Sequence, residues 1–547
     1  MSKRCTVVTT KKKLDPAYFL GAVSHPHIWF ALGTSFWDAL YTSHTTSTTS
    51  TRMRSCRISS ESVQMLTSLY WFSLGKTAEL LTRGVWSTCA ENPFETFAPD
   101  IVEDLLALAS SQQYAAKLSD LKLLIQTGRF RKLELHEFIM DEDQDLFPVW
   151  LSENVCKKLK VLKILPSLKR HNIEAILDAC VNLEEFHSSM LVGFGAMKNC
   201  RKLRSWKVHL SNNDPNFLAY ETPDFPESLK NLERFSVCNE YPCFFLYKKL
   251  ATVLENCPKL TSVGMGDSAV ALKFLKQSNP GGFGLKRCHW GSSFEIVSQS
   301  VNPDFFDLIR NAVEAFPLVE ELDLVVFDDS SLQCLMKLKH LNCLSIHSCD
   351  FSETFLSQFF HMLSRIGHQL RHLFLEDRNY YVPIEDILLY CPNLETLRME
   401  ALVAKPRELD YGLLRLKRLL LTRCNKEVLM LLLFNCKDLE ELYISNARCL
   451  RDDLLELILD ANPLSNLKIV SLDYCTLTED GLRMIFQSAV SLQTVHFACG
   501  VYPPRTDYDE SVSYLINELN LKIVNYLYGD LEEKSEFFRR KFSWCSF

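Results

Sequence analysis

The sequence predicts an α/β solenoid, a horseshoe with parallel strands on its concave face and helices on its convex face. Three observations predict it. A six-residue apolar phrase, L-x-x-L-x-L, recurs along most of the chain; its clearest copies begin 22 to 28 residues apart; and the segments between copies carry apolar residues at three- and four-residue intervals.

The clearest copies are Leu394-Leu397-Met399, Leu416-Leu419-Leu421, Leu439-Leu442-Ile444, Leu467-Val470-Leu472 and Leu492-Val495-Phe497. Towards the N-terminus the phrase continues as Leu370-Leu373-Leu375, Leu341-Leu344-Ile346, Val319-Leu322-Leu324, Leu285-Cys288-Trp290 and Leu260-Val263-Met265. Then come Leu232-Phe235-Val237, Leu203-Trp206-Val208, Leu183-Phe186-Ser188, Leu159-Leu162-Ile164 and Phe130-Leu133-Leu135, and a last copy stands at Leu521-Val524-Tyr526. The longest gap lies between Leu285 and Val319, where Gly282, Gly284 and Asn302-Pro303 bracket extra chain.

In each copy the last two apolar residues alternate inward on a short strand, and the first turns the chain into it. The return segments read as helices over Asn172 to Cys180, Asn311 to Phe316, Glu385 to Tyr390, Glu427 to Phe434, Asp452 to Asp460 and Glu479 to Ser488. One unit cannot bury its own apolar edge, so the units must stack.

The repeats occupy residues 126–530 of the 547. Ahead of them, residues 61–125 read as a helical cap, and residues 1–60 as a poorly ordered arm whose stretch from Thr42 to Ser55 is rich in Ser and Thr. Residues 531–547 form a tail. The apolar stretch from Ala17 to Tyr41 is broken by His25-Pro26-His27 and Asp38, so no membrane segment is expected. A net charge of -7 speaks against a general nucleic-acid binder.

The chain has 20 cysteines. Cys156, Cys180, Cys200, Cys257, Cys391 and Cys436 each stand three residues before a unit's first leucine, while Cys349, Cys424 and Cys475 each follow the last strand residue by three. Repetition at one position implies a repeated packing role. No C-x-x-C pair has a matching second pair, so buried free thiols are expected rather than zinc, in a reducing compartment, cytoplasm or nucleus.

On these residues the chain resembles the cysteine-containing, ribonuclease-inhibitor-like class of leucine-rich repeats; Cys475-Thr476-Leu477-Thr478-Glu479-Asp480-Gly481-Leu482 is the nearest copy of that class's phrase. The resemblance covers residues 130–526 and implies a protein-binding solenoid.

Candidate chemistry is sparse. Asp141-x-Asp143-x-Asp145 lacks the glycine and the closing glutamate of a calcium loop. Gly264-Met265-Gly266-Asp267-Ser268 overlaps a strand phrase and reads as a unit with small concave residues. His187, His289, His372 and His496 read as solvated surface histidines without an obvious base-and-orienter pair. No enzyme activity, cofactor or metal is expected.

The residue between the last two apolar positions should point out of the concave sheet. That column runs Lys163, His187, Lys207, Ser236, Gly264, His289, Asp323, Ser345, Phe374, Arg398, Leu420, Tyr443, Ser471 and His496. Phe374, Arg398, Leu420 and Tyr443 are consecutive, with Arg418 and Glu441 alongside, and should form an exposed cluster that binds a protein partner. The protein is expected to act as a monomer.

Phe97 to Leu108 reads as an amphipathic helix capping the first repeat, with Asp100 at its N-terminus. This Pro-x-x-Ile/Leu helix ahead of cysteine-type repeats resembles F-box/leucine-rich-repeat and ZYG-11-like proteins, substrate receptors of cullin-RING (SCF-type) ubiquitin ligases, a resemblance that would make residues 61–125 a degenerate F-box-like region. The resemblance implies an adaptor site at Phe97, Pro99, Ile101, Val102, Leu105 and Leu106. The alternative resembles ribonuclease inhibitor: a binding or inhibitory protein using the same face without a ubiquitin role.

Overall fold

The computed structural model describes residues 60–527 apart from 87–88, 90, 112–113, 115, 136–144, 152, 165–167, 191, 211–224, 240–243, 277–281, 292–303, 349–351, 404–413, 499–513, 517 and 520–524. The expected arm up to residue 59, the tail over 531–547, Cys349 and most of the Asp141 motif lie outside the described residues. The chain divides into two units, 1–71 and 72–547. The first is described only as the opening of helix α1 (Ser60–Thr82). The second holds the repeats.

Among the described residues sixteen strands form one sheet in which every neighbour pair is parallel and sheet order follows chain order. They are β1 (Lys132–Leu135), β2 (Val161–Ile164), β3 (Glu185–Ser188), β4 (Ser205–Leu210), β5 (Arg234–Asn239), β6 (Ser262–Asp267), β7 (Arg287–Trp290) and β8 (Glu321–Val326). Then follow β9 (Cys343–Ser348), β10 (His372–Val382), β11 (Thr396–Val403), β12 (Arg418–Thr422), β13 (Glu441–Ser445), β14 (Ile469–Asp473), β15 (Thr494–Ala498) and β16 (Asn525–Leu527). This is a leucine-rich-repeat solenoid, with each strand lying on a copy of the phrase.

The inward residues of the phrase make the core. Leu133 and Leu135, Leu162 and Ile164, Leu344 and Ile346, and Leu397 and Met399 are all buried, and the leading leucines Leu159, Leu183, Leu341 and Leu467 are sealed beneath them. The residue after each leading leucine donates its backbone N–H to the carbonyl of its counterpart one unit back: Glu184 to Lys160, Arg204 to Glu184, Glu395 to Arg371 and Lys468 to Glu440, each at 2.8 Å. This second ladder continues the sheet's pairing around the turn.

The return segments are helical where periodicity placed them: Arg170–Ala179, Phe305–Ala315, Ile384–Tyr390, Lys426–Asn435, Asp452–Ala461 and Glu479–Ser488. Asp304, Asn425 and Thr478 cap three of them by accepting backbone N–H groups. Other returns tighten to 3-10 turns, as at Phe194–Met197, Glu227–Asn231 and Asp329–Lys337.

The six cysteines that stand before a leading leucine, and Cys424, are buried free thiols, and Cys475 is a half-buried one. Cys156, Cys200 and Cys257 donate to the carbonyls of Leu151, Leu177 and Leu229 at 3.5, 3.6 and 3.4 Å. Burial pushes the Cys257, Cys391 and Cys436 thiols up to about 12, so they stay protonated and inert at neutral pH.

Two registers differ from the phrase. In β6 the chain bulges: Ser262 still faces Arg287, but Asp267, not Gly264, faces His289. Gly264 sits at φ +56, and a Cβ there would fall 2.0 Å from Ser236 Oγ, so the bulge requires glycine. In β16, Tyr526 faces Val495 where the phrase would set Val524.

Candidate functional site

The C-terminal cluster has the expected register. Phe374 faces Arg398, Arg398 faces Leu420, and Leu420 faces Tyr443, while Thr396, Arg418 and Glu441 form the adjoining row. The expected exposure is not found. Arg398, Leu420 and Tyr443 are 8%, 9% and 3% exposed, Phe374 and Glu441 are half-buried, and Arg418 is exposed. The reason is the strand spacing. Side chains in register on parallel strands stand about 4.8 Å apart, so large ones cover each other, and Phe374 and Ile469 pack against Leu420 and Tyr443.

The polar ends of this cluster are satisfied. The Tyr443 hydroxyl donates to Glu441 Oε2 at 2.9 Å, and burial together with that carboxylate pushes the phenol well above its usual range. Arg398 Nε donates to Glu400 Oε1 at 2.8 Å.

At the N-terminal end, helix α2 (Pro99–Ala109) caps the first repeat and packs on β1. Of the six residues implied for an adaptor, Ile101, Val102, Leu105 and Leu106 are buried. They close the open end of the core and, as they stand, offer nothing to an adaptor. Phe97 is half-buried, with its ring 5.5 Å from that of Phe94, and Pro99 is exposed. Asp100 lies in the first turn, while the capping position is Ala98.

Between these regions lies an ionic ladder built on buried His289 and Asp323, with His347 and Glu376 half-buried at its outer end, so His289 is not the solvated surface histidine expected from the sequence. His289 Nδ1 lies 2.8 Å from Asp323 Oδ2, His347 Nε2 lies 2.7 Å from Asp323 Oδ1, and His347 Nδ1 lies 3.1 Å from Glu376 Oε2. His289 and Asp323 face each other in register, and His347 reaches Asp323 diagonally. Asp267 adjoins them, accepting the backbone N–H groups of Val270 and Gly291 at 3.0 and 2.9 Å.

Burial alone would push His347 down, but its hydrogen bonds to Asp323 and Glu376 hold it up at about 10. Burial likewise opposes the charged form of Asp323, and the two imidazoles overcome it, holding the carboxyl well below its usual range. His289 is raised against its burial by Asp323. His289 and Asp323 were neighbours in the outward column, so their pairing was readable. His347 and Glu376 stand one pleat further on, in a column the sequence reading did not follow.

A second buried group lies at β14 and β15, where His496 Nδ1 is 2.9 Å from Ser471 Oγ and 3.1 Å from Asp473 Oδ1. Both groups contain Ser, His and Asp, since Ser345 Oγ also lies 3.1 Å from His347 Nε2. At His496 the serine and the aspartate share one ring nitrogen, and at His347, although Glu376 holds the nitrogen opposite Ser345, the nitrogen facing Ser345 is also bound by Asp323 and keeps its proton in an imidazole held up at about 10, so neither histidine offers the free base that a nucleophile relay needs. These are packed polar networks. Among the described residues no His, Cys, Asp and Glu cluster has the arrangement of a metal site, and no helix is long and apolar enough to cross a membrane.

On β1 to β4 the outward row is Glu134, Lys163, His187 and Lys207 in register. Lys132 Nζ reaches Glu134 Oε2 at 3.1 Å, and Lys163 pairs with the other oxygen. Burial, then Lys163 and Lys207 on either side, push His187 down to about 4.

No protein-family model and no curated protein matches the chain. Among solved structures it is similar to an internalin of Listeria monocytogenes at 15% identity, covering 69% of this chain and 89% of that one, with a TM-score of 0.30. A leucine-rich-repeat protein of Leptospira interrogans matches at 17% identity, 75% and 92% coverage and a TM-score of 0.28. Rad7, in its yeast complex with Elc1, matches at 13% identity, 79% and 96% coverage and a TM-score of 0.38. At these identities and scores the likenesses carry no functional argument.

Proposed function

We propose that this leucine-rich-repeat scaffold takes a protein partner on the outward sheet face between β10 and β13. The observation that carries the reading is the row Phe374, Arg398, Leu420 and Tyr443, set side by side with Arg418 and Glu441 in the next row. Partner interfaces concentrate their energy in aromatic and arginine anchors surrounded by polar rims. Leu420 and Tyr443 make a rigid apolar floor, and Phe374 and Arg418 are the parts a partner can reach. In full-chain pull-downs, Phe374→Ala and Arg418→Ala should each weaken partner recovery about tenfold, or roughly 1.4 kcal/mol. Unchanged recovery with both variants would sink the reading.

The finer reading makes the scaffold a substrate-recognition subunit of a cullin-RING ubiquitin ligase. The resemblance of residues 97–108 supports it, whereas burial of Ile101, Val102, Leu105 and Leu106 leaves Pro99 and part of Phe97 as the accessible remainder of that segment. Co-purification of the full chain with the F-box adaptor and, separately, with elongin C decides it. Recovery lost on Pro99→Asp supports the receptor role; no recovery with either adaptor leaves an independent binding or inhibitory protein.

A further inference from the structure

The turns that lead into β2 to β6 are together richer in cations than those further along the same edge. On this edge the residues of the backbone ladder alternate in sign and pair with one another: Lys160 with Glu184 at 2.8 Å, Lys286 with Glu320 at 2.7 Å and Lys468 with Glu440 at 2.6 Å. The excess comes from the residues just before the ladder. Lys157 and Lys158 precede β2, Arg201 and Lys202 precede β4, Lys230 precedes β5 and Lys259 precedes β6, all of them exposed. The turn before β3, Val181-Asn182, is uncharged, as are those before β8, β11, β14 and β15 (Pro317-Leu318, Pro392-Asn393, Ser465-Asn466 and Val490-Ser491), and the turns before β9, β12 and β13 carry one cation each, Lys339, Arg415 and Lys437, the last beside Asp438.

Part of this edge is hollowed. A depression of ≈ 240 Å³ opens between the turns of four successive units, lined by Arg201, Lys202, Arg204 and Lys259 together with Asn231, Glu184 and Glu233. Arg204 Nε stands 3.9 Å from Glu233, and Lys259 Nζ donates to Asn231 Oδ1 at 2.9 Å. Among the described residues the Arg201 and Lys202 side chains make no direct hydrogen bond or ion pair, Lys202 acting only through space to lower the Glu184 carboxyl. Two exposed cations at the lip of a depression already holding two more constitute a local field seeking an anion, in a chain whose net charge is -7.

We propose that this edge binds an acidic polypeptide segment, with one carboxylate seated between Arg201, Lys202 and Lys259 and further ones on the turns before β2 and β5. From β2 to β6 the turns span four strand spacings, about 19 Å, the reach of about six extended residues. Nucleic acid fits the edge less well. No aromatic side chain stands in these turns to stack a base, and Glu184 and Glu233 interrupt the cations where a phosphate backbone would need continuous positive charge. An acidic peptide with polar residues between its carboxylates matches that interruption.

The test is fluorescence anisotropy on the full chain, using a labelled peptide of about eight residues that alternates Glu and Gly, with an oligothymidylate of matching length as competitor. Arg201→Glu combined with Lys202→Glu should weaken peptide binding about tenfold, with binding falling as salt rises. Reversal of Arg415 and Lys437, the cations on the turns before β12 and β13, should leave the affinity within about twofold, as should Phe374→Ala, which reports on the other surface. All these side chains except Phe374 are exposed, so the fold should persist, and far-UV circular dichroism checks it. The proposal is overturned if the reversal at 201 and 202 has no more effect than that at 415 and 437, or if oligothymidylate displaces the peptide at lower concentration than unlabelled peptide does.

Discussion

The sheet presents two different faces on one scaffold. From β1 to β4 the outward row is Glu134, Lys163, His187 and Lys207; from β10 to β13 it is Phe374, Arg398, Leu420 and Tyr443. Their inward rows are interchangeable: Leu162 and Ile164 at one end, Leu442 and Ile444 at the other, all buried. Because strand side chains alternate, fold and recognition are written in separate positions, and the outward ones are free to differ without disturbing the core. Between the two faces stands the ladder of His289, Asp323, His347 and Glu376, where outward residues are ionic and the first two are buried. The exchange from lysine to aromatic along the sheet therefore passes through a boundary that outward freedom does not cover.

The boundary can be broken most severely at Asp323. Asp323→Ala leaves His289 and His347 facing each other without their shared carboxylate, and removing one partner of a buried ionic network costs about 3–5 kcal/mol. Glu134→Ala, on the lysine face, removes the partner of two more accessible cations and should cost about 1 kcal/mol. Urea unfolding of both variants measures the contrast. Equal losses would mean that the ladder is no more structural than the lysine row.

The two histidines sharpen the comparison through pH, with opposite signs. An unfolded histidine titrates near 6.5. His347, held up at about 10, binds its proton more tightly in the folded state, so its stabilisation is full below about 6.5 and is lost as pH rises towards 10. His187, held down at about 4, binds its proton less tightly when folded, so its contribution is full above about 6.5 and is lost as pH falls towards 4. Thermal unfolding across this range should lose its alkaline slope in His347→Gln and its slope between pH 6.5 and 4 in His187→Gln. Hydrogen exchange should place the alkaline loosening at β8 to β10 and the acid loosening at β2 to β4.

The strands were legible in the sequence because their signal is inward and periodic: Leu442 and Ile444 must be apolar wherever the unit sits. The helices Asp452–Ala461 and Glu479–Ser488 were legible for the same reason. The bulge at Gly264 was not, because a bulge is defined by what the neighbouring strand does, and only Ser236 across the gap explains the glycine. Exposure of the outward column also escaped. Alternation gives direction, but whether Tyr443 is wet depends on the size of Leu420 and Ile469 beside it, a pairing visible only once the strands are in register. The ladder was half legible: His289 and Asp323 adjoin in the column, yet burial turned an expected pair of surface groups into an ionic core.

The smallest expected effect separates the two ends by their turns. After β12, β13 and β14 the residue two beyond the last inward side chain, Arg423, Asn446 and Tyr474, adopts φ of 54, 57 and 53. This left-handed turn costs a side chain with a Cβ about 1 kcal/mol, except that Asn tolerates it through local hydrogen bonding. Tyr474→Gly and Arg423→Gly should therefore stabilise by about 0.5 kcal/mol, after the entropic cost of glycine in the unfolded chain, and Asn446→Gly should be neutral. At the matching position of the β8 unit, Val326 is still part of the strand and is buried, so Val326→Gly should destabilise. A chemical-denaturation series that ranks the four in that order ties the regularity of the C-terminal units to their shared turn. If Tyr474→Gly destabilises as Val326→Gly does, the ring's packing outweighs the backbone, and the turn must be held by the side chains around it.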